Sequence, residues 1–170
     1  IWKNVVHTPL AKLSKDKRII TCTAASKSFN LAGLQLSNII FNDEKLKERW
    51  DQELIGRCGL FGDSVFGLVA TKTAYDKCEY WLEDLNEYIG SNLEFIDAFI
   101  KEHIPKAKYQ IPEGTYFAWI DLRDYGLSVE ELEKTMVYDA KLVLDEGYIF
   151  GEEGNSFERI NVACPRKTLE

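Results

Sequence analysis

Lys27 is the first residue whose type and surroundings point to covalent chemistry. It lies among the small residues Ala24, Ala25, Ser26 and Ser28, and no carboxylate stands near it in the sequence. A lysine kept away from water has a lowered pKa, and its neutral amine is then a nucleophile that forms Schiff bases. Because most lysines are exposed, the alternative is an ordinary lysine on a surface loop.

Arg159 is the second such residue, and it stands in a segment with the alternation of a strand. Over residues 157–163, alternation places Arg159 and Asn161 on one face and turns Ile160 and Val162 to the other, which we expect to face the core. An arginine fork beside an amide suits a carboxylate held through two hydrogen bonds. The alternative is a solvated edge of the sheet.

The order of strands and helices along the chain predicts an α/β or an α+β fold. β-Branched residues indicate strands over 18–23 and 37–41, the first of them shortly before Lys27. Asn42 is expected to cap the helix that follows, and Asp63 and Ser64 to open the next one.

One long amphipathic helix and two further strands dominate the second half. Pro105 closes this helix, whose apolar stripe contains Trp81, Leu85, Ile89, Leu93, Ile96 and Ile100. Residues 109–122 read as a strand whose later part is apolar on both faces and should be covered on both sides. A capping box at Ser128 opens a helix that we expect to end at Gly147, before the last strand over 157–163.

Composition excludes several classes of function. The 170 residues carry a formal net charge of -7, which argues against nucleic acid as a partner because duplex binding needs a basic face. No apolar run approaches the roughly 20 residues of a membrane span. The four cysteines stand far apart and there are only two histidines, so we expect no metal site and no disulfide framework in a cytoplasmic protein.

Residues 26–35, SKSFNLAGLQ, resemble the pyridoxal-phosphate (PLP) lysine motif of the class I/II aminotransferase superfamily, in the branch of cystathionine β-lyases and related C–S lyases. Three further segments are similar to that branch in the same order: 80–88 (YWLEDLNEY), 112–121 (PEGTYFAWID) and 150–166 (FGEEGNSFERINVACPR). The resemblance implies that residues 1–80 are the end of a large PLP-binding α/β domain. Residues 81–170 would form a small α+β domain, incomplete at its end.

The resemblance also implies roles for individual residues. Lys27 would carry PLP and move the proton at the substrate α-carbon, and Ser26 would help to hold the cofactor phosphate. Arg159 would bind the substrate α-carboxylate, with Asn161 beside it. Many aminotransferases carry an arginine for the phosphate eight residues after the lysine; this chain has Gln35 there, as in the lyase branch.

The implied function is that of a PLP-dependent lyase that cleaves cystathionine or cysteine-type substrates to thiol, pyruvate and ammonia, as a homodimer in amino-acid metabolism. The family keeps its cofactor-ring partners upstream of the position of Ile1, so this segment alone is expected to be inactive. The alternatives are an aminotransferase of the same fold and a non-catalytic binding or regulatory protein. The residues present do not separate lyase from aminotransferase.

Overall fold

The computed structural model describes residues 1–2 and 4–170. The chain forms two compact units, one made of Val6–Asp84 and the other of Ile1–Val5 together with Leu85–Glu170. Each unit contains a small antiparallel sheet. Among the described residues, no helix is both long and apolar enough to cross a membrane.

The first unit holds the segment around Lys27 on a two-stranded sheet. β1 (Ile20–Thr23) pairs with β2 (Asn38–Phe41), which confirms both predicted strands in slightly shortened form. The helices of this unit are α1 (Leu10–Leu13), α2 (Glu44–Asp51), which continues as a π-helical turn over Gln52–Arg57, and α3 (Val65–Lys77).

Side-chain caps fix where these helices begin. Of the two residues expected to open α3, Ser64 is the cap, since its hydroxyl accepts the Gly67 N–H at 3.1 Å. In α2 the cap is Asp43, whose carboxylate accepts the Leu46 N–H at 3.1 Å. The prediction of Asn42 was wrong by one residue, because a capping side chain reaches an amide two or three residues ahead and Asp43 has that spacing.

The second unit packs a helix against a three-stranded antiparallel sheet. The helix is α4 (Glu79–His103), and the strand order is β3 (Phe117–Asp121), β5 (Phe157–Asn161), β4 (Asp145–Glu146), with β5 in the centre. The predicted stripe of α4 supplies much of the core, whose buried members are Ile89, Leu93, Ile96, Ile100, Ala118, Ile120 and Val162. Burial of these apolar side chains holds β5, and hence Arg159, against α4.

Asn92 of α4 anchors the end of β5. This fully buried amide donates from Nδ2 to the carbonyl oxygens of Val162 at 2.9 Å and Cys164 at 3.0 Å. Its Oδ1 accepts from Nε of Arg166 at 2.9 Å. Because these bonds occupy both the donor and the acceptor groups of the amide, they fix the exit of the strand that carries Arg159.

The helix opened by Ser128 ends earlier than expected. α5 (Val129–Lys134) begins with the predicted capping box and continues as a π-helical turn over Thr135–Asp139. Lys141 then adopts a left-handed backbone, with φ of 58°, and turns the chain back. The predicted end at Gly147 was wrong, because pairing of β4 with β5 draws the residues before Gly147 into the sheet.

β3 also departs from expectation, since it occupies only part of 109–122. Ala118 and Ile120 face the core, while Trp119 points to the other side and is 38% exposed. The ring of Trp119 stacks on that of Phe157, with centroids 5.3 Å apart. The prediction that both faces of this strand are covered was therefore wrong for the contacts made within this chain.

Gly147 and Gly154 contact each other through their backbones and close the loop that carries Phe150. A Cβ on Gly147 would overlap the Gly154 carbonyl oxygen and lie 2.8 Å from Cβ of Phe157. We expect Gly147→Ala to lower the free energy of unfolding by about 1–3 kcal/mol, the usual range for overpacking. Urea unfolding measures this, with Gly56→Ala as the control because a Cβ there meets nothing within 4 Å. Unchanged stability of Gly147→Ala would contradict the contact.

Candidate functional site

Lys27 lies in a tight turn that follows β1. In this turn the Phe29 N–H donates to the Ala25 carbonyl oxygen, and the Leu31 N–H to that of Ser26, each at 3.0 Å. Ala25 is buried, with 1% of its surface exposed, whereas Lys27 is exposed. Among the described residues, no carboxylate lies within 4.0 Å of the Lys27 ammonium. The turn therefore presents a primary amine without an ionic partner from this part of the protein.

Aromatic packing holds the Lys27 turn in place. The Phe29 ring stacks on Trp81 of α4, with centroids 6.0 Å apart, and meets Tyr75 of α3 edge-on at 5.7 Å. The sequence predicts Trp81 as part of the apolar stripe of α4, but it is 39% exposed and supports the turn instead. The sequence signal for this contact is the aromatic residue two positions after Lys27.

Ser26 and Gly33 lie in the same connection between β1 and β2. Ser26 is half-buried and directly precedes the lysine. A Cβ placed on Gly33 would meet no atom within 4 Å, so the connection leaves open space at that point. Gln35, at the end of the connection, is exposed and has a left-handed backbone with φ of 52°.

Arg159 occupies the central strand of the second unit. Its Nε and Nη2 donate to Oδ2 of Asp145 at 3.0 and 2.8 Å. Its guanidinium carbon lies 4.2 Å from the centre of the Phe117 ring and 4.4 Å from that of Phe150. Arg159 therefore does not lie on a solvated edge of the sheet. Its guanidinium is also not unoccupied, because a carboxylate and two aromatic rings already contact it.

Asn161 lies two residues further along β5, on the same face as Arg159, as alternation predicts. It is exposed, and its Oδ1 accepts the Ala163 N–H at 3.0 Å, which leaves its amide N–H groups as donors. Lys27 and Ser26 therefore share one turn of the first unit, and Arg159 and Asn161 share one strand face of the second.

Glu158 of the second unit is a buried carboxylate for which the sequence alone suggests no role. It is 2% exposed, and neither carboxylate oxygen has a hydrogen-bond partner among the described residues. Burial, aided by repulsion from Glu146, Asp145 and Glu133, raises the pKa of Glu158 to about 7. The side chain lies in the wall of a mainly apolar cavity of about 870 Å³. The sequence signal for this burial is the alternation of β5, which places Glu158 on the same face as Ile160.

This burial predicts a pH-dependent stability. The folded pKa of about 7 lies above the ordinary 4.5, so stability is lost as the pH rises from about 4.5 to about 7. Glu158→Gln removes this loss, and we expect it to raise the free energy of unfolding by about 2–3 kcal/mol at pH 8, with little change at pH 4.5. Urea unfolding at the two pH values tests this, with the exposed Glu130→Gln as control. An unchanged pH dependence in Glu158→Gln would contradict it.

Residues 2–170 match the family model for aminotransferase class I and II. The chain therefore belongs to that family, which confirms the resemblance seen in the sequence and its α/β fold class. Its structure is similar to that of a PLP-bound protein from Clostridium difficile 630 that is provisionally described as an aminotransferase. The two share 43% identity and superpose with a TM-score of 0.94, over 99% of this chain and 44% of the other.

Two further similarities are to a curated enzyme and to a second solved structure. The chain is 40% identical over 166 residues to cystathionine beta-lyase PatB from Bacillus subtilis (strain 168), covering 96% of this chain and 43% of that protein. It is 33% identical to cystalysin from Treponema denticola, whose structure contains PLP, with a TM-score of 0.91 over 98% of this chain and 42% of the other. The chain thus spans less than half the length of the curated relatives it matches.

Proposed function

We propose that a protein carrying this chain is a PLP-dependent carbon–sulfur β-lyase. It cleaves cystathionine or a cysteine-type substrate to a thiol, pyruvate and ammonia. The observation that carries the proposal is the Lys27 turn, which presents an exposed amine without a carboxylate partner from the described chain. The 40% identity to a curated cystathionine beta-lyase supports the choice of reaction.

The residues near Lys27 fit the cofactor. The lysine amine is available to the aldehyde of PLP, and the neighbouring Ser26 hydroxyl suits its phosphate. Gly33 leaves room in the same connection, since a Cβ there would meet nothing within 4 Å. When bound, PLP supplies an electron sink that stabilises negative charge at the substrate α-carbon.

The chain's own residues would then bind the substrate and move one proton. Arg159 binds the α-carboxylate through its remaining N–H donors and orients the α-C–H bond. When it is unprotonated, the Lys27 amine takes the α-proton at Nζ, a step that such a base accelerates by about 10²–10⁴-fold. Loss of the β-thiolate follows, and hydrolysis of the remaining product gives pyruvate and ammonia.

A second candidate is an aminotransferase with the same proton transfer at Lys27. The similarity to the Clostridium difficile protein, at 43% identity, favours this reading. The two reactions differ in their need for an acceptor, because an aminotransferase requires a 2-oxo acid to complete its cycle and a β-lyase does not.

The test uses the full-length protein, purified with PLP and given L-cystathionine without a 2-oxo acid. We expect pyruvate to form, followed through its reduction by lactate dehydrogenase. Amino-group transfer that begins only when a 2-oxo acid is added would establish the aminotransferase instead. No turnover in either assay would contradict both, and would leave a non-catalytic binding protein.

We also propose that residues 1–80 are the end of a large PLP-binding domain and that 81–170 belong to the small domain. The division of the chain into two units near Asp84 supports this boundary, although Ile1–Val5 group with the second unit. We further propose that the full-length protein acts as a cytoplasmic homodimer. Light scattering coupled to size-exclusion chromatography would give twice the chain mass for a dimer and the single mass for a monomer.

A further inference from the structure

The guanidinium of Arg159 is held along one edge, and no described residue accepts a hydrogen bond from the other edge. Nε and Nη2 donate to the same oxygen, Oδ2 of Asp145, at 3.0 and 2.8 Å. Phe117 and Phe150 approach it with ring centres within 4.4 Å. A guanidinium has five N–H donors, so the Nη1–Nη2 edge retains donors that no described residue accepts.

This geometry differs from that of a closed arginine–carboxylate pair. In a bidentate pair, two carboxylate oxygens take two parallel N–H donors. Here one oxygen of Asp145 takes both donors, and the open edge of Arg159 still offers the parallel pair that a second carboxylate needs. The Arg159 side chain is only 28% exposed, so access to this edge is restricted.

Backbone pairing sets the position of Asp145. β4 contains only two residues, and its register places Asp145 opposite Arg159 and Glu146 opposite Glu158. The left-handed residue Lys141 turns the chain before β4. The carboxylate partner of Arg159 therefore comes from the sheet at a fixed register.

We propose that Asp145 is a positioning residue for carboxylate recognition, holding one edge of Arg159 so that the opposite edge receives the α-carboxylate of the substrate. This proposal rests on the proposed function in one respect, namely that the ligand is an amino acid. An unrestrained arginine would lose rotamer freedom on binding, and Asp145 removes that loss in advance. Repulsion between Asp145 and the incoming carboxylate opposes this effect, but the Asp145 side chain is 43% exposed and water screens it.

The test compares Asp145→Ala with Asp145→Asn in the full-length, PLP-loaded protein. Alanine removes the acceptor, and we expect KM for L-cystathionine to rise about tenfold while kcat changes less than about twofold. Asparagine lacks the charge but keeps an oxygen that can accept both bonds, so KM should stay within about twofold of the unchanged protein. Glu146→Gln, the neighbouring acid on β4, is the control and should leave KM unchanged.

Propanoate binding, measured by isothermal titration calorimetry, separates this inference from the proposed function. Weaker propanoate binding in Asp145→Ala, with normal binding in Asp145→Asn, supports the positioning role even when cystathionine is not turned over. A lower KM in both Asp145 variants would show that the aspartate acts as a competing charge and would overturn the proposal. It is likewise overturned when Asp145→Ala keeps both its KM and its propanoate affinity, or when kcat falls with KM unchanged.

Discussion

Lys27→Ala is expected to reduce pyruvate formation from L-cystathionine by about 10³-fold in the full-length protein, within the range found for removal of a general base. In the proposed mechanism, the variant loses both the amine that would attach the cofactor and the base that would take the α-proton. Fold should be preserved, because the Lys27 side chain is exposed and the turn is held by backbone bonds and by Phe29. Steady-state rates with added PLP measure the effect.

Lys15→Ala is the matched control, since Lys15 is also an exposed lysine of the first unit. We expect it to retain the rate of the unchanged protein. Turnover of Lys27→Ala within tenfold of that rate would show that another residue takes the proton. Circular dichroism spectra of both variants should match the unchanged protein, which separates lost chemistry from lost structure.

Arg159→Ala should lower kcat/KM by about 10²-fold, because it removes charge-assisted hydrogen bonds worth about 1.5–3 kcal/mol each. The loss should appear mainly in KM if Arg159 binds the carboxylate equally in the ground state and the transition state. Arg159→Lys keeps the charge but not the planar fork, so we expect an intermediate loss. Initial rates over a range of cystathionine concentrations separate kcat from KM.

Arg123→Ala is the control for Arg159. Arg123 also pairs with an aspartate on the sheet, since its Nε donates to Oδ1 of Asp121 at 2.9 Å and its Nη2 to Oδ2 at 2.7 Å. Its side chain is 62% exposed, and this pairing lowers the pKa of Asp121 to about 2. We expect kcat/KM of Arg123→Ala to remain unchanged. Equal losses in Arg123→Ala and Arg159→Ala would mean that Arg159 acts only through stability.

Local signals were sufficient for much of the fold. Alternation along β5 predicted that Arg159 and Asn161 share a face, because the period of a strand needs no distant partner to be read. The capping box at Ser128 was likewise readable, since its two hydrogen bonds join residues three apart. These features depend on neighbours in the sequence.

Contacts between distant residues were not predictable in the same way. Asp145 reaches Arg159 because Lys141 reverses the chain and β4 pairs with β5, whereas helical periodicity alone predicted a helix through this segment. Glu158 is buried because β5 is the central strand, and strand order is a tertiary property that a single sequence does not reveal. The partner of the candidate carboxylate-binding arginine therefore came only from the structure.

The claim that Lys27 attaches the cofactor can be tested directly. The full-length protein is saturated with PLP, reduced with sodium borohydride, digested and analysed by tandem mass spectrometry, with Lys27→Ala treated in parallel. We expect a pyridoxyl group on the peptide that contains Lys27, and no such modification in the variant. A pyridoxyl group on a different lysine, present in both proteins, would contradict it.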